Sequence, residues 1–163
     1  MADGPAWYAP KRWMYRRGRP GRLARVMNNF SIWLYAHDWL TFGRAAVLEV
    51  RGRRTGKTIS LPVVVADYHD ARYLVSMLGD GANWVRNVRA ADGEAMLIQH
   101  GNRTVRLVEL PADQRAPILR RYLELAPGAR PHVPVTRTAP LSEFQQVADR
   151  YPVFRIDDPK RRA

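Results

Sequence analysis

The feature that most limits this chain is a series of short β signals, several of them joined by links of only a few residues. Segments 45–50, 59–66, 72–78, 94–100 and 103–110 each carry β-branched or alternating apolar residues with turn formers between them. His69-Asp70 and Gly101-Asn102 read as the hairpin turns. Strands linked this tightly must be antiparallel, because a parallel return needs a crossover of about a dozen residues or more. The apolar pair Val153 and Phe154 supplies a candidate last strand. Five or six antiparallel strands with peripheral helices read as an α+β fold, and curling the sheet into a small barrel would remove its exposed edges.

Four helical segments surround that meander. Over 22–42, Leu23, Val26, Met27, Phe30, Trp33, Leu34 and His37 recur at spacings of three and four, and Gly43 ends the pattern. Trp84, Val88 and Ala91 share a face over 83–91, just after the loop Gly79-Asp80-Gly81. Ile118, Tyr122 and Leu125 do so over 114–125, with Asp113 as the expected N-cap, and Phe144, Val147, Ala148 and Tyr151 over 141–151. Residues 1–22 mix Trp7, Tyr8, Trp13 and Tyr15 with cations and are broken by Pro5, Pro10, Gly18, Pro20 and Gly21, so no long helix runs through them. At 163 residues and 46% apolar, the chain suits one domain. The expected division is a basic, aromatic arm over 1–22, a single domain over 23–156 and a charged tail over 157–163.

Composition removes several classes of chemistry. There is no cysteine, so thiol catalysis, disulfides and cysteine-based zinc sites are out. His37, His69, His100 and His132 stand far apart without ligand spacing, so no metal is expected. The longest apolar stretch, 30–40, contains His37 and Asp38 and falls well short of the roughly 20 residues that a spanning helix needs. The N-terminus lacks the apolar core of a signal peptide, which points to a cytoplasmic protein, with membrane association left open. The net charge is +12, and residues 1–57 hold 12 Lys or Arg against Asp3, Asp38 and Glu49. That basicity favours polyanionic partners: nucleic acid, an anionic membrane surface or a multiply charged small molecule.

Gly52-Arg53-Arg54-Thr55-Gly56-Lys57 is the most informative basic segment. A triphosphate loop needs four residues between its first Gly and the Gly-Lys pair and must lead from a strand into a helix. Here there are three, the position that would restore the spacing is Arg51, and a strand follows. What remains is a tight turn in which Arg53, Arg54 and Lys57 place positive charge beside free main-chain N–H groups, a nest for an anion. An ordinary solvated hairpin is the competing explanation.

The surroundings of this turn resemble the deazaflavin-dependent nitroreductase family, split β-barrel proteins that use coenzyme F420. The family turn reads Gly-Arg-basic-Ser/Thr-Gly with a Pro six residues later, matched by Gly52 to Gly56 and Pro62. Further on, the family has a strand, a Gly loop and a helix with Trp-x-x-Asn, matched by 74–78, Gly79-Asp80-Gly81 and Trp84-Val85-Arg86-Asn87. The resemblance covers roughly residues 45–110. It implies a split β-barrel and hydride transfer from the reduced deazaflavin to a quinone, a nitro compound or an enone, with FMN as the lesser cofactor option. It implies cofactor contacts from Arg53, Arg54, Thr55, Gly56, Lys57, Gly79, Gly81, Trp84, Arg86 and Asn87. Related split barrels often pair, so a homodimer is consistent with it.

This chain also departs from the family pattern. Where many members have an Arg three residues after the second Gly, it has Ile59; where they have a basic residue before the Gly loop, it has Met77 and Leu78; and Val85 replaces a Tyr. Tyr122, His132 and Tyr151 are the candidate proton donors, although each has a plain alternative: two tyrosines on apolar helix faces and a histidine in a Pro-rich loop. The competing functions are non-catalytic. Residues 1–42 combine cations with Phe30, Trp33, Leu34, Trp39 and Leu40 and suit a peripheral membrane contact. The arm also has the composition of a single-strand nucleic-acid binder, but no recognition fold accompanies it.

Overall fold

The computed structural model of the protein describes residues 43–159. The arm over 1–22, the helix expected over 22–42 and the end of the tail lie outside that range. Strands β1 (Ala45–Arg51) and β2 (Thr58–Val64) form the first hairpin, followed by β3 (Ala66–Tyr68) and β4 (Ala71–Val75). Helix α1 (Asn83–Ala90), strands β5 (Glu94–Gln99) and β6 (Gly101–Glu109), helices α2 (Ala116–Leu125) and α3 (Leu141–Val147), and strand β7 (Val153–Asp157) complete the order.

All paired strands are antiparallel, in the order β2-β1-β5-β6-β7-β4-β3. β2 and β3 therefore stand at opposite edges, yet Val65 alone separates them in sequence. Neighbouring Cα atoms are about 3.8 Å apart, so the two edges must meet and the sheet must curl on itself. Val65 N–H, which donates to the Arg44 carbonyl at 2.9 Å, fixes the corner. On one side of that corner the strand pairs with β1, and on the other with β4. β2 and β4 are not neighbours in the ladder, so the wall is split between them. The result is an α+β split barrel with seven strands among the described residues, where five or six were expected, because the segment read as one strand over 59–66 bends into two.

Period-two alternation fills the barrel. β1 turns Ala46, Leu48 and Val50 inward, β5 Ala95 and Leu97, and β6 Val105 and Leu107. Leu74, Phe154 and, from α1, Val85 and Val88 close the same cluster. A second core lies where α2 and α3 pack together with β3, built on Ile118, Leu119, Tyr122, Leu123, Phe144 and Val147. Burial at these positions stabilises by roughly 1.5–3 kcal/mol per large side chain.

Several boundaries move for local reasons. β4 stops at Val75 because the Ser76 hydroxyl donates to the Gly79 carbonyl at 2.7 Å and Ser76 N–H to the Pro152 carbonyl at 2.9 Å, turning the chain. The β5–β6 turn centres on His100, pairing Gln99 with Gly101. His69 and Asp70 both adopt positive φ, 44° and 60°, as a two-residue hairpin turn requires. α2 starts at Ala116, after a 3-10 turn over Ala112–Gln114, and Asp113 makes no cap. Its entry is fixed instead by buried Arg115, whose guanidinium donates to the Leu110, Ala148 and Asp149 carbonyls and to Glu109. At the C-terminal end Asp158 is buried beside Arg103, so the packed structure continues past residue 156. Among the described residues, no helix is long and apolar enough to cross a membrane.

Candidate functional site

Antiparallel order places the C-terminal ends of β1, β4 and β6 and the starts of β2, β5 and β7 on one rim of the barrel. The Gly52–Lys57 turn, the 76–82 loop and α1 therefore share that rim. The two sequence motifs are brought together by this arrangement, and a direct bond joins residues 34 apart. Asn87, 2% exposed, accepts through Oδ1 from both Arg53 N–H (3.2 Å) and Arg53 Nη1 (2.9 Å). Both partners are donors, which decides which end of the amide faces the turn. Asn87 Nδ2 makes no protein hydrogen bond among the described residues and stays available to an acceptor.

The turn itself is closed by its own backbone. Gly52 N–H donates to the Lys57 carbonyl and Gly56 N–H to the Gly52 carbonyl, each at 2.8 Å, and Lys57 N–H reaches Thr55 Oγ1 at 3.3 Å. A side chain at Gly52 would meet Ile59 Cδ1, the Lys57 carbonyl and Thr55 Oγ1, all 3.1 Å from its Cβ, while Gly56 sits at φ +66°, where glycine is favoured. Four of the turn's N–H groups are thus engaged, and those of Arg54 and Thr55 remain. The nest of free backbone donors expected from sequence is reduced to these two, because a closed hairpin uses its N–H groups to hold its own shape. Side chains must supply the rest of the anion affinity.

Charge does supply it. Arg51, Arg54, Lys57 and Arg86 form no ion pair among the described residues. Among the described residues, Arg53 is held only by the neutral Asn87. Two acids of this rim are occupied elsewhere: Arg89 bridges Asp80 at 2.7 Å and Glu109 at 2.7 and 2.9 Å. The hydrogen bond from Arg89, aided by its charge, holds the Asp80 carboxyl below its ordinary range. Asp80 therefore sits in the Gly79-Asp80-Gly81 loop without cancelling the turn's charge.

The apolar part of the site follows α1. Trp84 is partly buried against the barrel core with Leu61, Val63 and Ala82, and its ring lies 5.4 Å from that of Phe154. Leu61 and Val63, which pack against the same core, belong to β2. Val85, in contrast, is fully buried inside the barrel. The change from Tyr to Val at that position belongs to core packing and removes no ring from the rim. Ile59 and Leu78, the other departures from the family pattern, are 40% and 66% exposed.

The proton-donor candidates lie in the other core. Tyr122 is buried between α2 and its neighbours, and burial pushes its phenol well above the ordinary range. The Tyr151 hydroxyl donates to the His132 carbonyl at 2.9 Å, so those two residues meet, through the histidine backbone. The His132 side chain is exposed. A cavity of about 630 Å³ opens at the opposite rim, lined by Arg44, Asp67, Tyr68, His69 and Arg121, residues that the sequence had not singled out as a site. Burial raises the Asp67 carboxyl, and hydrogen bonds and charge from Arg44 and Arg121 outweigh it, leaving the group below its ordinary range. Ion-paired charges of this kind carry no sequence signal, since their partners are 23 and 54 residues away.

A turn with several uncompensated cations, two free N–H groups, a neighbouring Trp and a free amide donor fits a flavin-like cofactor that carries a phosphodiester and carboxylates. Comparison with known proteins agrees. Residues 37–140 match the family described as F420H(2)-dependent quinone reductase. No curated protein matches the chain. Among solved structures, a protein of unknown function from Agrobacterium tumefaciens shares the fold at 14% identity, TM-score 0.53, with 79% of this chain and 54% of that one covered. This chain thus spans about half the length of that protein. A 5-nitroimidazole antibiotic resistance protein from Bacteroides thetaiotaomicron aligns at 10% identity and TM-score 0.49, over 71% of this chain and 73% of that one. An F420-H2 dependent reductase aligns at 22% identity and TM-score 0.44, over 70% and 94%. With the match spanning well over half of its length, the chain belongs to the F420H(2)-dependent quinone reductase family, oxidoreductases whose cofactor is coenzyme F420.

Proposed function

We propose that this protein reduces an electron-poor small molecule, a quinone first and a nitro compound or enone next, with its cofactor seated on the rim that carries the basic turn. The observation that carries this reading is the Arg53–Asn87 contact, which joins the two family motifs into one cationic site. In this reading Arg53, Arg54 and Lys57, with the N–H groups of Arg54 and Thr55, hold the phosphodiester and carboxylates. Gly56, Gly79 and Gly81 let the backbone approach, Arg86 and Asn87 Nδ2 add donors, and Trp84 borders the ring. When bound, the reduced cofactor supplies the hydride.

The chain's own task is to orient that cofactor beside the acceptor and to exclude water from one face. Tyr122, kept protonated by burial, and Tyr151, engaged with the His132 carbonyl, belong to the α2–α3 core, so the acceptor takes its proton from solvent at the open rim. Residues 1–42 would hold the protein near a lipid-soluble acceptor, and pairing of two copies would follow the habit of related barrels; both rest on sequence.

The test is titration of the purified protein with coenzyme F420, FMN and single-stranded DNA, followed by anaerobic reoxidation of the reduced deazaflavin with a quinone, a nitroaromatic and an enone. Saturable deazaflavin binding that is lost in Arg53→Glu/Arg54→Glu, with quinone turnover, is the expected result. Salt-dependent DNA binding without a deazaflavin signal would sink it in favour of a non-catalytic basic binding protein.

A further inference from the structure

Asn87 is buried on α1, yet among the described residues its side chain's one partner is an exposed arginine of the β1–β2 turn, 34 residues earlier in sequence. One oxygen receives both the main-chain N–H and the guanidinium of that residue. The main-chain bond fixes where the turn sits over α1, and the guanidinium bond fixes where the charge points. An exposed arginine otherwise spreads its charge over many rotamers, and ordering it on binding carries an entropic cost. Among the described residues, no side chain of another element restrains Arg54 or Lys57, on the same turn, in this way.

We propose that Asn87 is a positioning residue that pre-aims the Arg53 guanidinium at the anionic part of the cofactor, while keeping its full charge. Only a neutral acceptor can do both. A carboxylate there would aim Arg53 equally well and cancel it, whereas an apolar residue would leave the charge and lose the aim. The remaining guanidinium N–H groups of Arg53 and the free Asn87 Nδ2 then converge as donors on one anionic group, a phosphate or a carboxylate. This inference rests on the proposed cofactor site.

The variants Asn87→Asp and Asn87→Leu separate aim from charge, and thermal melting run beside fluorescence titration with coenzyme F420 separates binding from folding. Asn87→Asp should melt at or above the wild-type temperature and bind about tenfold more weakly, the scale of one charge-assisted contact. Adding Arg53→Ala to it should then weaken binding little further. Asn87→Leu should lose affinity in proportion to Arg53→Ala alone. Arg53→Lys, an exposed substitution that leaves the fold intact, keeps charge without the fork and should bind nearly as weakly as Arg53→Ala. A merely structural Asn87 would make affinity follow the melting temperature across the series, and that result overturns the proposal. So does wild-type affinity in Arg53→Lys, or independent effects of Asn87→Asp and Arg53→Ala. If the unaltered protein binds no deazaflavin at all, the cofactor site falls first and this inference with it; if it binds and these variants misbehave, only the role of Asn87 falls.

Discussion

Replacing Ile59 by Arg tests whether the rim is an anion site that has lost one cation. Ile59 lies on β2 two residues beyond Lys57 and is 40% exposed, with its Cδ1 against Gly52. Arginine can lay its aliphatic stem over the same surface and leave its head in water, so stability should change by no more than about 0.5 kcal/mol. A strand rises about 3.3 Å per residue, which puts the new Cα within about 7 Å of that of Lys57 and its guanidinium within reach of the same anion. One added cation about 6 Å from a phosphate is worth about 0.7 kcal/mol in bulk water and twice that at half the dielectric constant. The corresponding gain in affinity is about threefold to tenfold. Fluorescence titration with coenzyme F420 at low ionic strength would show it, and the gain should shrink at 1 M salt, where the screening length is about 3 Å. Ile59→Gln, polar and uncharged, should give none of it. Unchanged or weaker binding in Ile59→Arg at low salt, with the melting temperature preserved, would refute the placement of the anion beside this turn.

Gly52→Ala should cost roughly 1–3 kcal/mol by overpacking, because its Cβ is held at 3.1 Å from three heavy atoms; denaturant unfolding measures the cost, and cofactor affinity should fall with it. Tyr151→Phe removes the hydrogen bond to the His132 carbonyl and should lower stability by about 1 kcal/mol while leaving kcat unchanged; a large fall in kcat with a normal melting temperature would make Tyr151 the acid. Asp80 is held low by Arg89, so its contribution to stability is complete above its unfolded value of about 4 and is lost as pH falls through the lower folded value. In Arg89→Ala that acid-dependent part of the melting curve should vanish, an effect small enough to need low salt because the pair is exposed.

Much of this molecule was legible because local chemistry and fold agree. Period-two alternation in 45–50, 94–100 and 103–110 survives as β1, β5 and β6, since each of those strands has one buried face. Short links forced antiparallel pairing, and the structure contains no other kind among the described residues. The bend at Val65 was not legible, because nothing in Val64-Val65-Ala66 marks a turn; it exists only because the sheet's two edges must meet. Asp113 was a reasonable cap by type, but Arg115, through four hydrogen bonds from its Nε, Nη1 and Nη2 to Leu110, Ala148, Asp149 and Glu109, decides where α2 begins.

 Its contact with Glu109 is at once a hydrogen bond and an ion pair. That arginine reads in sequence as one more solvated cation, and only its burial reveals the role.

The basic turn shows the same limit at the site itself. Its residue types announce an anion, and its spacing excludes a triphosphate loop, but neither shows how the anion is held. A phosphate loop that opens into a helix keeps its N–H groups free, because the first turn of a helix has no acceptors for them. This hairpin turn keeps a smaller reserve, the N–H groups of Arg54 and Thr55: Gly52 and Gly56 donate within the turn and Arg53 donates to Asn87. Affinity must then come from side chains, which are mobile unless another element restrains them. α1 restrains one of them, because it packs against β1 and so carries Asn87 to the turn that follows that strand. The packing of the barrel core and the aim of the arginine are therefore one structural solution: the helix that buries Val85 and Val88 in that core also holds Asn87 against the turn.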